Sequence, residues 1–152
     1  MEKRKIIVVD LDGTIALNQH RYHYIYPKDG GKPNWNSFFL ACIDDAPNWA
    51  VIHSIAALRK ADYKIHIMSA RGMVAYEETI AWLSKYSVSY DALTMRDIDC
   101  YIPDEELKQS WLEQFYPNYQ ESVLCVFDDR DKVVKMWRSL GLTCFQVAEG
   151  NF

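Results

Sequence analysis

At 152 residues, 49% of them hydrophobic and 25% charged, the chain has room for one buried core and the balance of an ordinary globular protein. Its net charge of −4 argues against a broad footprint on duplex nucleic acid, which needs many lysine and arginine contacts to phosphate, yet leaves room for one phosphate end or a nucleotide in a local pocket. No apolar run nears the roughly 20 residues that span a bilayer, and "MEKRK" leads into only four apolar residues before Asp10. The cysteines are scattered without metal-ligand spacing, so a soluble cytoplasmic protein with reduced thiols is expected.

Five short apolar, β-branched runs alternate with helical patterns. The first covers residues 6–10, "IIVVD". Residues 18–46 follow, long, aromatic and broken by "KDGGKP", and are expected to form an insertion, since loops of this length in compact domains usually serve function. A helix is predicted over 47–61, with Pro47 in its first turn and Val51, Ile55 and Leu58 on one face. The second strand is predicted at 64–69 and a helix at 73–86, with Ile80 and Leu83 on its apolar side. The third strand is predicted at 90–94. The helix at 103–115 opens with Pro103 and three acids, which suit the positive end of a helix dipole. A fourth strand at 123–128, a helix at 131–141 stopped by Gly141, and a fifth strand at 143–147 complete the series. Alternation of this kind implies one α/β domain over 1–152, a five-stranded parallel sheet with helices on both faces.

In such sheets the site lies beyond the carboxyl ends of the strands. Asp10 and Asp12 end the first strand, Ser69 and Arg71 the second, and Asp128, Asp129 and Arg130 the fourth. Carboxylates gathered this way are sustained by a hard divalent cation, and oxygen ligands favour Mg²⁺, which commonly takes a phosphate oxygen as well. Asp10 is ionised at neutral pH and can attack phosphorus directly. Asp12 can protonate the leaving alkoxide and then activate water. Gly13 permits a tight turn, and Thr14 offers a hydroxyl and a backbone N–H to the ligand.

"DLDGT", the serine of "MSAR", a lysine on a later helix and the paired acids of "FDD" resemble the four motifs of the haloacid dehalogenase (HAD) phosphohydrolase superfamily. "FDDRDKVVKMWRSLGLTCFQVAEGNF" is similar to the end of the 3′-phosphatase domain in T-even-phage-type polynucleotide kinase 3′-phosphatases. The resemblance implies a HAD-like fold, with Asp10 as nucleophile and Asp12 as general acid/base. It implies Ser69 and Lys108 on the transferring phosphate. Asp10, Asp128, Asp129 and the backbone carbonyl of Asp12 would hold Mg²⁺. It adds Arg21, Arg71 and Asp104 as substrate-site residues. On the sequence alone, Lys108 also reads as a solvated helix lysine, Asp104 as a first-turn acid and Arg21 as a loop cation. His20 and His23 read as polar loop groups. "GGKP" fails the P-loop pattern, so no kinase activity is expected.

The leading expectation is a Mg²⁺-dependent phosphomonoesterase removing 3′-phosphates from nucleic-acid ends or nucleotides. Tyr22, Tyr24, Tyr26 and Trp35 could stack on terminal bases, or Trp35, Phe38 and Phe39 could simply pack together under the loop. A small-molecule phosphatase such as a 5′-nucleotidase is the alternative, and a non-catalytic binder of nucleic-acid ends the third.

Overall fold

Residues 4–152 are described by a computed structural model of the chain. The strand Ile6–Val9, β1, sets the layering, because successive side chains of a strand point to opposite faces. Ile7 and Val9 enter one apolar cluster, and Val8 enters the other. A two-residue strand, Ala16–Leu17 (β2), leads into the insertion, which holds a 3-10 turn at Gln19–Tyr24, the short helix Trp35–Leu40 (α1) and a second 3-10 turn at Ala41–Asp44. Ala46–Pro47 (β3) closes the insertion by pairing antiparallel with β2. The ribbon of β2 and β3 joins the two ends of this segment, pairing Ala16 with Pro47 and Leu17 with Ala46.

The remaining elements are α2 (Trp49–Lys60), β4 (Lys64–Gly72), α3 (Tyr76–Lys85), β5 (Ala92–Arg96), α4 (Asp104–Phe115), α5 (Tyr119–Ser122), β6 (Val123–Asp128), α6 (Asp131–Ser139) and β7 (Cys144–Gln146). The main sheet runs β5-β4-β1-β6-β7 with every pair parallel. One face carries α2 and α3 through Val51, Ile52, Ile55, Trp82 and Leu83. The other carries α4 and α6 through Leu107, Trp111, Leu112, Val133, Val134 and Trp137. The five-stranded α/β architecture is the expected one.

Boundaries shift for local reasons. The helix expected from 47 begins at Trp49, since Pro47 is spent on the ribbon with Ala16. The strand expected from 90 begins at Ala92; just before it the Asp91 N–H donates to the Ile65 carbonyl at 2.8 Å and the Asp91 side chain accepts the Ile65 N–H at 2.9 Å. The second strand runs on to Gly72, with a register shift against β5 between Ser69 and Gly72. The next helix starts at Tyr76, after a 3-10 turn at Met73–Ala75. Among the described residues, no helix is long and apolar enough to cross a membrane.

From β1 the chain builds outward to β4 and β5, then crosses back to β6 and β7. The reversal leaves a crevice at the carboxyl end of β1, between β4 and β6.

Candidate active site

Asp10 is the first residue past β1, and its N–H still donates to the Phe127 carbonyl at 2.8 Å, so the sheet fixes its backbone. The chain then doubles back: the N–H groups of Thr14, Ile15 and Ala16 all donate to the Leu11 carbonyl. Gly13 sits at φ +80°, and a Cβ there would stand 2.1 Å from Asp129 Oδ2. Only glycine satisfies both the left-handed backbone and that approach.

Lys108, on α4, reaches across this turn. Its Nζ donates to Asp10 Oδ1 at 2.7 Å and to Asp128 Oδ2 at 3.0 Å. Thr14 Oγ1 donates to the other Asp10 oxygen at 3.0 Å, and Trp137 Nε1 donates to Asp128 Oδ2 at 3.1 Å. Lys108 is therefore a buried ion-pair partner, not a solvated helix lysine. Burial by itself would lower its ammonium pKa, but Asp10 and Asp128 outweigh that and raise it.

Asp10, Asp128 and Asp129, all buried, each bring one carboxylate oxygen within 4.8 Å of the others. Burial, then the charge of Asp128, push Asp10 well above the usual carboxylate range and Asp129 up to about 6. One ammonium against three carboxylates leaves two charges without a partner, and the donors are all oxygen. A hard divalent cation such as Mg²⁺ fits that set. The Asp12 carboxylate does not join it and turns away, leaving only its main-chain carbonyl for such an ion.

Asp12 is instead gripped by two arginines. Arg71 Nη2 donates to its Oδ1 at 2.5 Å, and Arg21 Nη2 donates to the same oxygen. Burial pushes the Asp12 carboxyl up, but Arg71 and then Arg21 prevail and hold it at about 2. Behind them stands Asp45, whose side chain is fully buried. It accepts from Arg21 Nε at 2.8 Å and Nη2 at 2.7 Å, and it meets His20 Nε2 at 2.7 Å. Arg21 also donates to the Phe38 carbonyl, so the guanidinium that holds Asp12 is braced on α1 of the same insertion.

The expected residues divide by position. Asp10, Asp12, Ser69, Arg71, Asp104, Lys108, Asp128, Asp129 and Arg130 line one cleft of about 1110 Å³. Thr14 and Arg21 do not line it. Both are buried behind it, Thr14 against Asp10 and Arg21 against Asp12, so neither reaches the cleft directly. Ser69 Oγ accepts the Arg71 N–H at 3.1 Å. Asp104 bridges two cations at the rim, taking Arg96 Nη2 at 2.6 Å and Arg130 Nη1 at 2.8 Å.

Sequence reasoning missed Asp45 and Arg96. Asp45 lies in the insertion, and Arg96 ends β5 two residues beyond the strand expected at 90–94, so neither fell at an expected strand end. Tyr22, Tyr26 and Trp35 reach the cleft, but Tyr24 does not: its ring lies 4.1 Å from that of His23. Phe38 is buried between Trp35 and Phe39, with ring centroids 5.8 and 5.7 Å away, so the aromatic pack exists while Trp35 keeps one side on the cleft.

Residues 4–152 match the family described as the polynucleotide kinase PNKP phosphatase domain. A protein of Autographa californica nuclear polyhedrosis virus, named for polynucleotide kinase and RNA ligase activities, is 30% identical over 145 residues, 94% of this chain and 19% of that protein. A chain from the Pnkp1/Rnl/Hen1 RNA repair complex superposes with a TM-score of 0.82 at 32% identity, covering 99% of this chain and 44% of that one. The class C acid phosphatase of Bacillus anthracis shares the fold, with a TM-score of 0.63 at 18% identity over 86% of this chain and 53% of that one. The chain thus spans about a fifth of the viral relative and under half of the repair-complex chain. With the acid cluster at the end of β1 and a family match along its described length, the chain belongs to the polynucleotide kinase phosphatase-domain family and is a HAD-type phosphatase domain.

Proposed function

We propose that this domain is a Mg²⁺-dependent phosphomonoesterase that removes 3′-phosphates from nucleic-acid ends or nucleotides through a phosphoryl group carried on Asp10. The observation that carries this reading is the Asp10 carboxylate held from both sides, by Lys108 and Thr14, at the floor of the cleft. Asp10, Asp128, Asp129 and the Asp12 carbonyl would hold the ion. When bound, Mg²⁺ supplies positive charge to the phosphoryl oxygens and draws them toward Asp10.

An Asp10 carboxylate oxygen forms a bond to phosphorus as the bond to the leaving alkoxide breaks, and Asp12 gives that alkoxide a proton. Water then attacks the acyl phosphate and passes a proton to Asp12, which frees Asp10 and inorganic phosphate. Lys108, Ser69 and Arg71 stand where they can oppose the charge of the phosphoryl oxygens. Asp12 starts as an anion under two guanidiniums. A phosphate dianion arriving beside Arg71 draws that cation toward itself, the proton affinity of Asp12 rises, and Asp12 takes from solvent the proton that it passes to the leaving alkoxide.

The phosphorylated nucleic-acid end is favoured as substrate by the kinship with a chain of an RNA repair complex. No kinase step is assigned to these residues, whose "GGKP" lies in exposed chain ahead of α1. The experiment is phosphate release with Mg²⁺ from a 3′-phosphorylated oligonucleotide, a 3′-mononucleotide and a 5′-mononucleotide, by the wild type and by Asp10→Asn. The two 3′-phosphates should react and the variant should be inert. Preference for the 5′-mononucleotide supports the small-molecule alternative, and full activity in Asp10→Asn removes that residue from the nucleophile's role.

A further inference from the structure

The reaction above uses the floor of the cleft and leaves its apolar rim unexplained. Tyr26 and Trp35, from the insertion, are 63% and 52% exposed. Ile98, Tyr101 and Ile102, from the loop between β5 and α4, are 70%, 87% and 46% exposed, and all five line the same cleft. Large apolar side chains exposed together mark a binding surface.

Both segments have an ordered footing. Trp35 is braced by Phe38 and Phe39, with centroids 5.8 and 5.9 Å away. On the other segment Arg96 donates to the carbonyls of Cys100 and Ile102, either side of Tyr101, at 3.1 and 2.7 Å. The same guanidinium is anchored on the Ala70 carbonyl and on Asp104. The backbone around Tyr101 is held, and its exposed ring is tethered by its hydroxyl, which donates to Asp99 Oδ1 at 3.4 Å and leaves the ring faces open.

Charge narrows the occupant. Among the described residues, the exposed part of the cleft lining includes Asp97 and Asp99 but a single cation, Lys132. Arg96 and Arg130 are already committed to Asp104. Such a rim has little with which to track a run of upstream phosphates, whereas aromatic rings stack on any base. Whatever alcohol is attached to a phosphate at Asp10 must leave the floor past this rim.

We infer that Trp35 and Tyr101 are the stacking partners of the terminal base of an unpaired 3′-phosphorylated end, so that this domain recognises one terminal nucleoside by its base and not a strand by its backbone charge. The inference rests on the phosphatase reading above. Its test uses two short single strands bearing a 3′-phosphate, one with a base on the terminal sugar and one abasic there, with Mg²⁺ present. Wild type should favour the base-bearing end by about tenfold or more in kcat/KM, the scale of one base–aromatic stack. That preference should fall toward unity in Trp35→Ala and Tyr101→Ala and persist in Tyr101→Phe, which keeps the ring. KM for the base-bearing end should change by less than about threefold between roughly 50 and 200 mM salt, since few phosphates are neutralised. Equal kcat/KM for the two ends, or full preference in Tyr101→Ala, overturns the stacking inference and leaves the phosphatase reading standing. Wild type inert on both ends overturns the phosphatase reading and the inference with it.

Discussion

Lys108 Nζ lies 2.7 Å from Asp10 Oδ1, a buried contact between residues 98 positions apart in the chain. The pair closes the floor of the cleft and joins the end of β1 to α4 on the far side of the sheet crossover.

Removing the ammonium leaves Asp10 and Asp128 buried without their cation. Lys108→Met is expected to cost about 3–5 kcal/mol of stability in chelator, the scale of breaking a buried ion pair from one side. Added Mg²⁺ should restore part of the loss by placing positive charge among the same carboxylates, and chelation should silence phosphate release by the wild type. Thermal melts with EDTA or Mg²⁺ check this; a variant as stable as wild type in EDTA contradicts it.

Asp45 does not itself line the cleft, yet it aims Arg21 at Asp12 and lies 3.5 Å from the Arg71 guanidinium. Asp45→Asn keeps the shape but removes the charge that fixes the guanidinium. Activity is expected to fall by about tenfold to hundredfold, in keeping with small displacements of positioning groups. Asp45→Ala should in addition lower the melting temperature, because Arg21 is then buried with one carboxylate fewer. Circular dichroism beside phosphate-release kinetics separates the two effects.

Gly13→Ala should fail on two counts. The residue sits at φ +80°, and the new methyl would stand 2.1 Å from Asp129 Oδ2. A loss of about 1–3 kcal/mol is expected from the backbone alone, together with a higher Mg²⁺ concentration for half-maximal activity as Asp129 is displaced. A metal titration of activity on the purified variant measures the second effect, and an unchanged midpoint would refute it.

His66 gives a pH dependence away from the acid cluster. Burial lowers its pKa from 6.5 to about 4, and its ring bonds Tyr116 Oη and Thr94 Oγ1, each at 2.7 Å. Between those values the unfolded chain binds more protons than the native one, so stability rises with pH across the window. It is lost as pH falls from 6.5 towards 4, by on the order of 3 kcal/mol in full. His66→Gln should flatten the curve of melting temperature against pH in that interval.

The sheet and the carboxyl-end residues were legible in the chain because they are local facts. Period-two alternation sorts Ile7 and Val9 from Val8, turn chemistry fixes Gly13, and "DLDGT" and "FDD" each end a strand. A parallel sheet then has one crevice to which strand-end residues can go, so Asp10, Asp128 and Asp129 were bound to meet. Which partner neutralises which acid was not a local fact. Lys108 against Asp10, Arg71 on Asp12 and Asp45 on Arg21 join residues 98, 59 and 24 positions apart, while Arg21 on Asp12 and Arg96 under the 97–103 loop are nearer in sequence, and nothing in their spacing announces any of these pairings. Tertiary packing decided those pairs, because a buried charge is tolerated only where the fold delivers its counter-charge within hydrogen-bond reach.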